Sequence, residues 1–175
     1  MTSLCVYDSP VGRLTLAADG PAVTGLWIEG QKYFAATLSG DEKGNPLPVF
    51  DAARAWLDAY FSGEIPPALP PLSPRGSPFR PAVWRLLLEI PRGGTTTYGA
   101  LARTLRERGV SASAQAVGGA VGHNPISILI PCHRVVGADG SLTGYAGGVR
   151  VKERLLALEG ADLSRFYVPK RGTAL

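Results

Sequence analysis

A cysteine, a histidine and an arginine stand side by side at Cys132-His133-Arg134, directly after a proline. Upstream, Ile126 to Ile130 is a run of mostly large apolar residues, which reads as a buried extended segment. Pro131 ends it and leaves Cys132 at its exit. A free thiol titrates near ~8.5 and becomes a nucleophile when a base or a positive neighbour raises its thiolate fraction; His133 and Arg134 supply one of each. Adjacent residues of an extended segment point to opposite faces, so His133 is expected to reach Cys132 through a bridging water. An imidazole acting as a base needs a third group to orient it. Glu159, in Leu155-Leu156-Ala157-Leu158-Glu159-Gly160, is the candidate. Arg134 either supports the thiolate or forms a structural ion pair. Read as an isolated Cys-His pair, Cys132 is more often an inert buried thiol.

The elements that would position these residues lie in the second half of the chain. A helix is predicted from about Pro81 to Glu89, opened by Pro81, with Val83, Trp84, Leu87 and Leu88 on its buried face. Another runs from about Tyr98 to Arg108 and stops at Gly109; Ser111 or Ser113 caps a third, from about Ala114 to Gly122. Two short helices joined by a Gly-containing turn make a helix-turn-helix, or a small helical bundle with no nucleic-acid role. The third helix carries Gly118, Gly119 and Gly122, each costing ~1 kcal/mol against alanine. Such residues allow close backbone approach, either to another helix or to DNA.

The first half predicts three short strands over residues 3–8, 12–18 and 22–29, an antiparallel meander with turns at Pro10-Val11-Gly12 and Asp19-Gly20-Pro21. Residues 31–38 are a short helix or irregular. Val49 to Phe61 places Phe50, Ala53, Trp56, Leu57 and Tyr60 on one helical face. Five prolines between Ile65 and Pro74 exclude a helix and predict an extended linker. The fold class is therefore α+β: a small antiparallel-sheet plus helix domain over 1–74, then a helix-turn-helix domain over 75–175. The tail after Gly160, including Lys170-Arg171, is expected to be loosely held.

Composition narrows the function classes. Residues 1–74 carry 4 basic and 8 acidic side chains, a charge of −4, whereas residues 75–175 carry 14 and 6, a charge of +8. An anionic partner for the second half, or a solvated basic surface, follows. Two cysteines are no disulfide framework, and a nucleophilic thiol requires a reducing compartment. Cys5 reads as an unreactive strand residue. With two histidines and no Cys-x-x-Cys, no zinc site is predicted. Neither a signal peptide nor an apolar run of ~18 residues is visible, so a soluble, cytoplasmic protein is expected.

Pro131-Cys132-His133-Arg134-Val135-Val136, with Asn124 eight positions before Cys132 and Gly144-Tyr145-Ala146-Gly147-Gly148 after it, resembles the O6-alkylguanine-DNA alkyltransferase family over roughly Ser77 to Gly160. The resemblance implies a winged-helix-like alkyl-transfer domain. It also implies direct, single-turnover repair of double-stranded DNA bearing O6-alkylguanine, bound through the minor groove by a monomer, with the base flipped out and no cofactor. By position it implies Cys132 as nucleophile, His133 as base through water, Glu159 as its orienting group, Asn124 as a hinge, and Tyr98 as the residue assisting nucleotide rotation and guanine departure. Gln115, Ala116, Gly118 and Gly119 fall on the DNA-facing helix. Val135, Tyr145, Ala146, Gly147, Gly148 and Lys152 fall on the substrate pocket. Many members have an arginine finger where this chain has Gln115; Arg106 or Arg108 is the alternative finger. Two other readings stand beside this one: a damage-sensing DNA-binding protein that flips the base without transfer, whose relatives lack the reactive cysteine, and a cysteine hydrolase using Cys132 and His133.

Overall fold

The computed structural model describes residues 1–170 and divides into two units, residues 1–75 with 125–129, and residues 76–124 with the chain from 130 onward. A division after residue 74 does not anticipate that 125–129 joins the first unit.

In the first unit, β1 (Thr2–Ser9), β2 (Gly12–Asp19) and β3 (Ala22–Ile28) form an antiparallel meander in the order β1-β2-β3. The register runs from Ser9 opposite Gly12 to Thr2 opposite Asp19, and from Leu14 opposite Ile28 to Asp19 opposite Ala22, with an irregularity at Ala17/Ala18. Helix α1 (Pro48–Phe61) starts on Pro48, whose missing N–H costs nothing in a first turn. It buries Val49, Phe50, Ala53, Trp56, Leu57 and Tyr60, each large apolar side chain contributing ~1.5–3 kcal/mol. Residues 31–38 are irregular, a series of turns with Tyr33 and Ala35 at positive φ. The Pro-rich stretch is extended but not a free spacer: Val23 N donates to Pro71 O and Ser73 N to Val23 O, both at 2.8 Å.

The five-residue apolar run is buried, but it is not one extended strand. Ile126 forms a parallel bridge with Leu26, Leu26 N donates to Pro125 O and Ser127 N to Leu26 O. The chain then turns at Ile128, whose φ is 71°. A β-branched residue in that region costs about 1–3 kcal/mol and persists only where its surroundings impose it; Ile128 is 1% exposed.

In the second unit, α2 (Phe79–Leu87), α3 (Tyr98–Glu107) and α4 (Ala114–Gly122) pack pairwise. Trp84 Nε1 donates to Ala120 O at 2.8 Å, joining α2 to α4. Helix α2 begins two residues before Pro81. Thr97 Oγ1 caps α3 by accepting from Ala100 N, and Ser113 Oγ caps α4 by accepting from Ala116 N. Two short parallel strands, β4 (Thr96–Thr97) and β5 (Val135–Val136), pair directly before Tyr98 and directly after Arg134. Helix α5 (Val149–Leu158) follows Gly148, whose φ is 94°. The segment after Gly160 is not loose through residue 168: Ala161, Leu163, Phe166 and Val168 pack on buried Val136, Leu142 and Leu156. Arg171 lies outside the described residues. Among those described, no helix is long and apolar enough to cross a membrane.

Candidate active site

The backbone turns sharply where an extended exit was expected. Cys132–Arg134 is one turn of 3-10 helix, with Arg134 N donating to Pro131 O at 3.1 Å. The segment is anchored by Asn124, whose Nδ2 donates to Ile130 O at 2.9 Å from just beyond the end of α4. Cys132 is 4% exposed and His133 is fully buried. Burial pushes the Cys132 thiol up, whereas the Asn124 side chain, the Lys152 charge and the backbone N–H groups of residues 132 and 133 pull it down. At rest the thiol keeps its proton, inside a ring of groups that favour the thiolate.

Burial also lowers the His133 pKa against the opposing pull of Glu159, so the ring is neutral. Its Nε2 lies 2.6 Å from Glu159 Oε1. A carboxylate only accepts, so Nε2 carries the ring proton and Nδ1 presents a lone pair. That Nδ1 is buried without a protein partner. Burial works against ionisation of Glu159, but hydrogen bonds from His133 and Arg134 more than offset it and hold its pKa at about 2. Arg134 forms the structural ion pair of the two alternatives. Its Nε and Nη2 reach Oε2 and Oε1 of Glu159, each at 2.9 Å, and its Nη1 donates to Ile90 O at 2.6 Å.

The residues expected at a substrate pocket lie next to β4 and β5 and in the chain between β5 and α5. Tyr98 Oη donates to Thr143 O at 3.2 Å, and burial, with the charge Cys132 carries once ionised as the lesser cause, pushes its pKa to about 12. Buried Lys152 donates to the same Thr143 O at 3.0 Å and to Val135 O; burial lowers its pKa to about 8. Lys152 thus ties the backbone at Val135 to that at Thr143. Tyr145 presents an edge-on ring to His133, centroids 6.4 Å apart, while Ala146, Gly147 and Gly148 are half-buried. A Cβ on Gly144 would come within 2.5 Å of Tyr98 Oη, so only glycine lets the loop pass. The carbonyls of Thr143 and Ile90 carry no signal in the sequence, because any residue type supplies one.

Helix α4 buries Val117, Ala120 and Val121 and exposes Gln115, Ala116 and Gly119, with Gly118 half-buried. A Cβ on Gly119 or Gly122 would meet nothing within 4 Å, and one on Gly118 only Tyr98, at 3.8 Å. Helix packing therefore does not account for these glycines. Both candidate alternative fingers are engaged: Arg106 Nη1 donates to Ala112 O at 2.8 Å, across the turn between α3 and α4, and Arg108 forms a bidentate pair with Glu89.

Comparison with known proteins covers nearly the whole chain. The family model described as the DNA binding domain of 6-O-methylguanine DNA methyltransferase matches residues 78–161, and the model for its ribonuclease-like domain matches residues 5–69. The methylated-DNA--protein-cysteine methyltransferase of Haemophilus influenzae is 44% identical over 87% of this chain and 83% of its own. That of Mycolicibacterium paratuberculosis is 47% identical over 87% and 88%. The crystal structure of Mycobacterium tuberculosis O6-methylguanine methyltransferase superposes with a TM-score of 0.79 at 42% identity, covering 98% of this chain and 97% of that one. The mycobacterial protein in complex with DNA gives 0.77 at 43% identity, covering 92% of each.

Proposed function

The chain belongs to the 6-O-methylguanine DNA methyltransferase family, and from that premise we propose that it repairs DNA directly, moving the alkyl group of an O6-alkylguanine onto Cys132 Sγ. The observation that carries the assignment is the buried Cys132 thiol next to a His133–Glu159 pair whose free imidazole nitrogen is Nδ1. The thiol proton passes through a water to Nδ1, and Glu159 stabilises the imidazolium that results. The thiolate attacks the alkyl carbon in line, so a carbon–sulfur bond forms as the carbon–O6 bond breaks. The electron pair leaves on guanine, which takes a proton from Tyr98 Oη; the proton held on His133 then returns to Tyr98, so that the net change carries the thiol proton to guanine and both side chains end neutral. The thioether product has no base-assisted route back, so each chain acts once. Every group named comes from one chain, and the reaction needs no second copy. A thiol nucleophile suits the reducing cytoplasm.

A paired base cannot reach a buried thiol, so the nucleotide must leave the stack. The open small-residue face of α4 supports entry into a groove only ~6 Å wide, with Gln115 at its start as the side chain available to fill the vacated space. The +8 charge of residues 75–175 supports phosphate contact there. Incubation with duplex carrying a labelled O6-methyl group tests the reading. Label should move to the protein. Label retained on bound DNA would instead mark a damage sensor, and label ignored altogether would leave the hydrolase.

A further inference from the structure

We infer that residues 161–168 act as a strap that sets the position of the pocket loop, with Tyr167 and Asp139 as its positioning pair; the inference rests on the transfer reading above. The strap joins the loop through backbone and side chain together. Tyr167 N donates to Gly140 O and Leu142 N to Tyr167 O, both at 3.0 Å, and Ser141 forms a parallel bridge with Tyr167. Tyr167 Oη donates to Asp139 Oδ2 at 2.6 Å, while Asp139 Oδ1 accepts from Ser141 N at 3.0 Å. Asp139 therefore ties the loop to itself and to the strap with its two oxygens.

The fit is close as well as bonded. Gly140 has φ 88°, and a Cβ there would lie 2.6 Å from Arg165 O. Phe166 and Val168 pack on Val136 and Leu142, so the strap also carries apolar weight. Directly beyond Leu142 comes Thr143, whose carbonyl receives both Tyr98 Oη and Lys152 Nζ, and then Tyr145, edge-on to His133. A displacement of Asp139 to Leu142 is therefore passed to the carbonyl that Tyr98 grips and to the ring beside the base. Tyr167 is 48% exposed, so its hydroxyl can be removed without opening the core.

The test uses full-length Tyr167→Phe, Asp139→Asn and the double variant, with free O6-methylguanine and free O6-benzylguanine as donors. Neither donor needs flipping, so the ratio of benzyl to methyl transfer reads the pocket alone. Each single variant should change that ratio by about fivefold in the same direction, the scale of one hydrogen bond, and the double should go no further than either. Gly140→Ala, which pushes on the strap from the other side, should move the ratio too. Equal slowing of both donors, an unchanged ratio, or effects that multiply in the double would overturn the strap. A wild-type chain that accepts no alkyl group from either donor would sink the transfer reading itself.

Discussion

Cys132 is withdrawn from solvent and protonated at rest, so the proposed transfer requires a base that takes its proton. Cys132→Ser should abolish transfer while leaving DNA affinity within a few fold, read by label uptake beside a binding titration; a Ser variant that transfers would remove the nucleophile. Glu159 binds both His133 and Arg134, so Glu159→Gln should act twice. Alkylation should slow by roughly 10²-fold, the scale of general acid–base assistance, and unfolding should become easier by on the order of 3 kcal/mol, because Arg134 loses a buried counter-charge. An unchanged single-turnover rate would show that something else orients the imidazole. The depressed His133 pKa makes a separate expectation. The ring stays neutral as pH falls through the ordinary ~6.5, so transfer from free base should hold its rate there; a rate halved near that pH contradicts a neutral buried base. Stability behaves oppositely. The unfolded chain binds protons that folded His133 and Glu159 refuse, so stability should decline as pH drops below ~6.5, and again from ~4.3 towards the Glu159 value of about 2.

At the scale of elements, α4 is the sharpest case, because its glycines lower helix stability without any packing return. Gly119→Ala adds a methyl group into open space and removes a poor helix former. The protein should become about 1 kcal/mol more stable yet bind duplex DNA more weakly. Tighter or unchanged binding would show that the face meets no groove. Gln115→Arg should speed capture from alkylated duplex while leaving reaction with free O6-alkylguanine nearly unchanged, since a guanidinium adds charge, reach and a stacking plane. An equal response of both donors would place residue 115 in the chemical pocket. The meander and α1 were legible because their apolar residues keep a clean period, and α3 and α4 because Gly109 and a serine cap mark their ends. Helix α5 was not, because buried Lys152 interrupts the stripe of Val149, Leu155 and Leu156. The paired strands β4 and β5, two residues each, are too short for any period to show. The turn at Cys132–Arg134 escaped for a related reason: Pro131 signals an end, but not which way the chain goes next.

Over the whole molecule, charge is divided as the chemistry requires, −4 over residues 1–74 and +8 over residues 75–175. DNA affinity should fall with salt, each neutralised phosphate adding ~0.9 to the slope of log K against log salt. Charge-reversing substitutions at exposed arginines of the second half should flatten that slope, and salt-independent affinity would contradict an electrostatic footprint. The charge asymmetry was plain in composition. The return of residues 125–129 to the first unit was not, because a buried apolar run does not say which core it joins, and the packing of residues 161–168 was hidden by the polar, Pro-containing look of the tail. The central claim is a stoichiometric transfer to one sulfur, and the mass of the intact protein after exposure to excess O6-methylguanine duplex tests it most directly. Every active chain should gain the mass of a single methyl group in exchange for one hydrogen, carried on the peptide that contains Cys132. Repeated turnover by unmodified chains, or a methyl group found on any other residue, would contradict it.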